Sequence, residues 1–224
     1  MNSTMTSELI VMLTYNDFTV KNASEIFEAC IESKAKYWGF KDKGLSAEDM
    51  KLLFSMMKEH GKTTCLEVVE YTEKESLEGA KLAATCGCDI LMGTVYFDSI
   101  HKFCNEHHIK YMPFIGDITN RPSILSGEID KIIKQAQSYL DKGVYGLDLL
   151  GYRYTGDAKT LISTVVNALD APVCVAGSID SFERLDEIKG ISPWSFTIGS
   201  AFFDNKFNGS FKEQIDIVYD YINQ

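Results

Sequence analysis

Pro172-Val-Cys-Val-Ala-Gly-Ser178 and Trp194-Ser-Phe-Thr-Ile-Gly-Ser200 are two apolar runs that end in the same way. Each is short, rich in β-branched or aromatic residues and closed by glycine, which marks a buried strand. A glycine lets a ligand approach the backbone, and the amide and hydroxyl that follow can hold an anion. Between the two runs, Ser181–Lys189 has the spacing of a helix. The chain therefore reads here as strand, helix, strand, with a Gly-Ser pair at the end of each strand.

The same unit recurs towards the amino terminus. Predicted strands are Leu9–Thr14, Tyr37–Lys41, Thr63–Glu70, Asp89–Thr94, Ile109–Ile115 and Val144–Leu150, preceded by eight residues that read as a frayed start. Predicted helices alternate with them: Asn22–Ala35, Ser46–Gly61, Lys74–Cys86, one capped by Asp98, Glu128–Lys142 and Asp157–Leu169. The helix starts carry capping residues, such as Ser46 with Asp49 three positions on. A polar loop, Gly116–Gly127, precedes the long fifth helix, and Ser210–Ile222 closes the chain. Eight strand–helix pairs, at roughly 25–30 residues each, imply a parallel sheet closed into a single-domain (β/α)8 TIM barrel over residues 1–224. An open doubly wound sheet would carry a glycine loop after its first strand, whereas Thr14-Tyr-Asn-Asp-Phe18 has none. In such barrels phosphate commonly binds after strands 7 and 8, where Gly177-Ser178 and Gly199-Ser200 fall.

With 224 residues, 45% hydrophobic and 24% charged, the composition is that of an ordinary soluble globular protein. A net charge of −10 argues against nucleic acid and anionic membrane as partners, yet a local nest of amides can still bind phosphate. The six cysteines form no Cys-x-x-Cys pair, and most lie in apolar runs and read as core residues. With no signal peptide and no spanning run, the expected setting is a reduced cytoplasm. The four histidines lie in or beside helices and are expected to face solvent.

Barrel chemistry uses inward side chains at the C-terminal ends of strands, and side chains alternate along a strand. If Trp38 and Phe40 face the helices, Gly39, Lys41 and Lys43 face the lumen. The same rule turns Cys65 and Glu67 inward against Leu66 and Val68, and Asp148 inward against Leu147 and Leu149. Lys41, Glu67 and Asp148 are thus the candidate catalytic set: a lysine able to act as acid, base or Schiff-base nucleophile, with carboxylates to exchange its protons. A buried structural ion pair is the competing explanation. Arg153, in Gly151-Tyr-Arg-Tyr-Thr-Gly156, is placed to clamp a phosphate or carboxylate. No zinc, P-loop or dinucleotide motif occurs, so no cofactor is expected. Magnesium or another divalent cation on Glu67, Asp117 and Asp148 stays open, since hard carboxylate sites have no fixed spacing.

Ala176-Gly-Ser178 and Ile198-Gly-Ser-Ala201, in this architecture, resemble the ribulose-phosphate-binding barrel superfamily. Its members act on phosphorylated sugars and hold phosphate on the loops after strands 7 and 8. The resemblance thus implies phosphate binding by Gly177, Ser178, Gly199 and Ser200. A partial likeness to N-acetylmannosamine-6-phosphate epimerase lies in Gly39-Phe-Lys41 and Gly151-Tyr-Arg-Tyr-Thr155, although that family has a glutamate where Ala176 stands. Gly39-Phe-Lys-Asp-Lys-Gly-Leu45 and Leu66-Glu-Val-Val69 look like a bacterial branch of these barrels. The expected function is that of an isomerase, epimerase or aldolase-type lyase on a small phosphorylated sugar or polyol. The alternative is a non-catalytic barrel that senses a phosphometabolite, which an exposed apolar patch on an outer face would favour. A homo-oligomer is compatible with either.

Overall fold

The computed structural model describes residues 6–224. Eight parallel strands make one sheet: β1 Glu8–Met12, β2 Tyr37–Lys41, β3 Thr63–Val68, β4 Ile90–Gly93, β5 Lys110–Met112, β6 Leu147–Leu149, β7 Val173–Val175 and β8 Ser195–Ile198. Their order is β6-β7-β8-β1-β2-β3-β4-β5. A single bridge between Phe114 and Asp148 joins the two outermost strands, helped by the Asp148 amide donating to the Pro113 carbonyl at 2.9 Å. The result is a nearly closed (β/α)8 barrel.

The predicted frayed start is contradicted where it is described. Ser7 donates its hydroxyl to the Pro193 carbonyl at 2.6 Å, and Glu8 already pairs with Ser195. The first five residues of that stretch lie outside the described ones.

Helices α1 Ala23–Ala29, α2 Ala47–Glu59, α3 Glu73–Cys86, α4 Asp98–Glu106, α5 Ile129–Asp141, α6 Ala158–Ala168 and α7 Phe182–Ile191 follow the first seven strands. The eighth strand leads into a short helix, α8 Ser200–Phe203, and then α9 Phe211–Asn223. Side-chain caps start several of them: Ser46 accepts from the Asp49 amide, and Ser210 with Glu213 forms a capping box. Asp98 is the first helical residue of α4 rather than its cap. The first helix ends six residues early, because beyond Ala29 the chain tightens into turns and the Lys34 amide is held by Asp216 of α9 at 2.9 Å.

Two apolar layers fix which way each strand faces. On the outside of the barrel, Trp38 meets Phe27 edge-on at 5.1 Å, and Phe40 stacks on Phe54 at 4.3 Å. Burying each such ring contributes about 1.5–3 kcal/mol. A one-residue slip of β2 would turn both rings into the lumen and Lys41 into the helix layer, so the register is firmly set. Inside the barrel, Ile10, Met12, Cys65, Ile90, Met92, Met112 and Cys174 pack together. Tyr37, Tyr145 and Trp194 floor this layer at the amino-terminal ends of the strands, with Trp194 edge-on to both tyrosines at 5.5 and 5.9 Å.

Two antiparallel hairpins stand on the opposite end. One, Thr14–Tyr15 with Phe18–Thr19, follows β1; the other, Asp117–Thr119 with Ile124–Ser126, follows β5 and replaces the loop expected at Gly116–Gly127.

Candidate functional site

At the C-terminal end of the barrel a cavity of about 230 Å³ opens between β1, β2, β3, the loops after β6 and β7, and α8. Its deep side is acidic and basic together. Lys41 and Glu67 are register partners on adjacent strands, and their Nζ and Oε2 lie 3.8 Å apart. A second carboxylate, Asp17, meets Lys41 Nζ at 2.7 Å from the hairpin after β1. Asn16 and Asp17 form the turn of that hairpin, both with left-handed φ, a conformation Asn and Asp tolerate better than other residues. Thr19 ties the hairpin to β2: its hydroxyl donates to the Lys41 carbonyl at 2.7 Å and accepts from the Lys41 amide at 3.1 Å.

These contacts decide the charge of the lysine. Burial alone would lower its pKa, but Glu67 and Asp17 outweigh burial and push it above the ordinary value. Asp17 answers in kind: burial would raise its pKa, and the Lys41 ammonium holds it below the usual carboxylate range. The pair is locked as ammonium and carboxylate.

Asp148 faces inward, as its parity predicts, but it lies beneath the cavity and does not line it. The residue is fully buried, and neither carboxylate oxygen has a hydrogen-bond partner. Burial first, and the charge of Glu67 second, drive its pKa well above the ordinary value; Lys41 opposes them only in part. Burial and Glu67 thus favour the protonated form of Asp148, beneath the Lys41–Glu67 pair.

The shallow side of the cavity combines two cations, Arg153 and Lys206, two carboxylates, Asp180 and Asp204, and the two Gly-Ser turns. Cys174 pairs with Ser195 and Val175 with Phe196 across β7 and β8, which brings Gly177-Ser178 and Gly199-Ser200 to one rim. Gly177 and Ser178 both have left-handed φ, 87° and 56°. Arg153 leans across Gly177: a Cβ there would stand 3.1 Å from Arg153 Nε. At Gly199 a Cβ would meet the Thr14 carbonyl at 2.9 Å. The glycines are thus demanded by neighbouring protein groups, and not only by space for an anion. Lys206, beyond α8, adds a second cation to the rim, and among the described residues neither Arg153 nor Lys206 makes an ion pair.

The second hairpin closes the side between β3 and β6. Arg121 donates to Glu70 and to the Val69 carbonyl, each at 2.6 Å, and lies over the Tyr71 ring at 4.9 Å. Ser123, from the same hairpin, reaches the cavity wall.

Lys41, Glu67, Arg153, Gly177, Ser178, Gly199 and Ser200 thus gather around one cavity. Lys43 does not face the lumen as expected: β2 ends at Lys41, and Lys43 pairs with Asp42 and Glu70 at the rim. Asp117 turns towards Gly127, and among the described residues no group of three or more His, Cys, Asp or Glu is arranged to hold a metal. Glu67, Asp117 and Asp148 are therefore not gathered into one cation site. His101 is buried rather than solvent-facing, and its Nδ1 lies 3.3 Å from the Tyr96 hydroxyl. Among the cavity residues that the sequence did not single out are Asp17 and Lys206. Asn16-Asp17 between Tyr15 and Phe18 is a hairpin-turn signal that could have revealed the first; Lys206 carries no local signal.

No family model and no curated protein matches the chain. Solved structures do match, and they place the molecule first among the (β/α)8 barrels. Orotidine 5'-phosphate decarboxylase from Pyrococcus horikoshii superposes with a TM-score of 0.69 at 10% identity, over 96% of this chain and 99% of that one. N-acetylmannosamine-6-phosphate 2-epimerase from Clostridium perfringens gives 0.64 at 12%, over 88% of each. Phosphoribosylanthranilate isomerase from Thermotoga maritima gives 0.63 at 13%, over 97% and 98%. At these identities the likeness is one of fold alone, that of a (β/α)8 barrel.

Proposed function

We propose that this protein is an enzyme that moves a proton on a small phosphorylated sugar or polyol, as an isomerase or epimerase does. The observation that carries this reading is the two-ended cavity: unpaired cations and left-handed backbone at the rim, and a lysine held between two carboxylates at depth. The phosphate sits against Gly177-Ser178 and Gly199-Ser200 under Arg153 and Lys206. The sugar chain then points inward to Lys41.

Glu67 takes a proton from the carbon next to the substrate carbonyl. The Lys41 ammonium stabilises the charge that develops on the carbonyl oxygen, where a desolvated cation acts most strongly. In an isomerase Glu67 returns the proton to the neighbouring carbon while the substrate hydroxyl's proton passes to the former carbonyl oxygen; in an epimerase the Lys41 ammonium protonates the opposite face of the same carbon and is recharged by the proton on Glu67. A Schiff base would need Lys41 as a neutral amine, and its two carboxylate partners work against that. The sensor alternative has little support from the outer surface, where exposed Leu52 and Ile217 stand on separate helices, α2 and α9.

The test is a panel of aldose and ketose phosphates incubated with the protein in heavy water and followed by proton NMR. One member should take up deuterium next to its carbonyl. Lys41→Met should slow that uptake by about 10²–10⁴-fold. Borohydride should trap no adduct. An adduct on Lys41 would replace this reading with the aldolase one, and no uptake with any member would remove it.

A further inference from the structure

Among the described residues, Lys41 Nζ has one hydrogen-bond partner, Asp17 Oδ1 at 2.7 Å. Glu67, the base of the proposed reaction, stands 3.8 Å from the same nitrogen, beyond hydrogen-bond reach, and its carboxylate accepts from no described group. The lysine is thus drawn to the hairpin after β1 and away from Glu67.

Asn16 and Asp17 are the two central residues of that hairpin's turn, between the register partners Tyr15 and Phe18, with φ of 49° and 66°. Such a turn suits Asn-Gly best, because glycine takes a left-handed backbone without strain. Here an acid stands where glycine would fit better. It also brings negative charge to a cavity proposed to take an anion. The hairpin has other ties: Thr19 to the Lys41 backbone and Tyr15 to Asp204. What the Asp17 carboxylate adds to them is its contact with Lys41, so its use lies with that lysine.

We propose that Asp17 is a positioning residue, which anchors the Lys41 ammonium and so leaves the Glu67 carboxylate open to take the proton from the substrate carbon. The inference rests on reading Lys41 and Glu67 as the proton-transfer pair. It gives Asp17 no contact with the substrate. An ammonium has three hydrogens. Asp17 takes one and fixes the direction of the other two, which are left for the substrate. Without Asp17 the lysine is free to close on Glu67 and occupy the lone pairs that the reaction needs.

The experiment follows deuterium uptake over a pH series, with the full chain and the substrate that the wild type exchanges. Asp17→Asn keeps the outline of the side chain and its tolerance of left-handed backbone, and loses only the charge. Its uptake should be slower by about a hundredfold, the scale of a misplaced group, with KM little changed. Its alkaline limb should also move to lower pH. Burial loosens the Lys41 proton, Glu67 and Asp17 tighten it, and Arg153 loosens it. Glu67 on β3, Arg153 on the loop after β6 and the buried Asp148 on β6 are unchanged in the variant, so any movement belongs to Asp17. Competitive labelling with acetic anhydride, read by mass spectrometry, reports the same proton without substrate: Lys41 should react at lower pH in Asp17→Asn than in the wild type. Tyr15→Phe, which loosens the same hairpin and removes no charge, should leave the limb where it is. A slower rate with limb and labelling unmoved would make Asp17 merely structural and overturn the proposal. An unchanged rate would overturn it too, while wild-type uptake would leave the proposed function standing. If the wild type exchanges no substrate, both fall. Should Asp17→Asn not fold, Asp17→Gly, which suits the turn, gives the same comparison.

Discussion

Asp148 is a carboxyl group with nowhere to put a charge. Burial and Glu67 hold its folded pKa above the ordinary carboxylate value, so the folded protein binds this proton more tightly than the unfolded chain does. The stability tied to it is complete below the unfolded value, near pH ~3.9, and is lost as pH rises towards the folded one. Asparagine has the same outline and no proton to lose. The difference in unfolding free energy between wild type and Asp148→Asn should therefore fall by up to about 1.4 kcal/mol per pH unit from about pH 4 upward. Urea unfolding at a series of pH values measures it. A flat difference would mean that water reaches the carboxyl group.

The hairpin after β1 is the element on which the site turns. It touches β2 through Thr19, Lys41 through Asp17 and α8 through Tyr15, whose hydroxyl donates to Asp204 at 3.0 Å while its ring lies 5.5 Å from that of Phe203. Thr19→Val should leave both backbone groups of Lys41 without their partner and lower stability by about 1–3 kcal/mol, read from urea midpoints. The strands and the direction of Lys41, Glu67 and Asp148 were legible in the sequence, because alternation and two large rings leave one register free of penalty. The hairpins were not. Each is two or three residues per strand, too short for a periodic signal, and each is held by contacts with distant parts of the chain. The Asn16-Asp17 pair signals a turn, but not that Asp17 meets Lys41, which lies 24 residues away. Depth was equally hidden, since parity shows that Asp148 faces inward but not that it lies below the cavity.

Across the whole molecule a net charge of −10 surrounds a rim whose unpaired cations are Arg153 and Lys206. The proposed anion site is therefore a local exception in a repelling field, and added salt should screen that field. The barrel is also a vessel with one mouth. Tyr37, Tyr145 and Trp194 seal the far end, and Cys65 and Cys174 lie fully buried in the inner apolar layer against that seal, while the other four cysteines are buried in the shell. Burial keeps these two thiols protonated as well as hidden. A thiol reagent can reach them only when the strands part. Their rate of labelling, followed by mass spectrometry, then becomes a clock for opening of the barrel, wound by the native sequence without any added probe. Denaturant far below the unfolding midpoint should speed Cys65 and Cys174 by the same factor, since one opening exposes both.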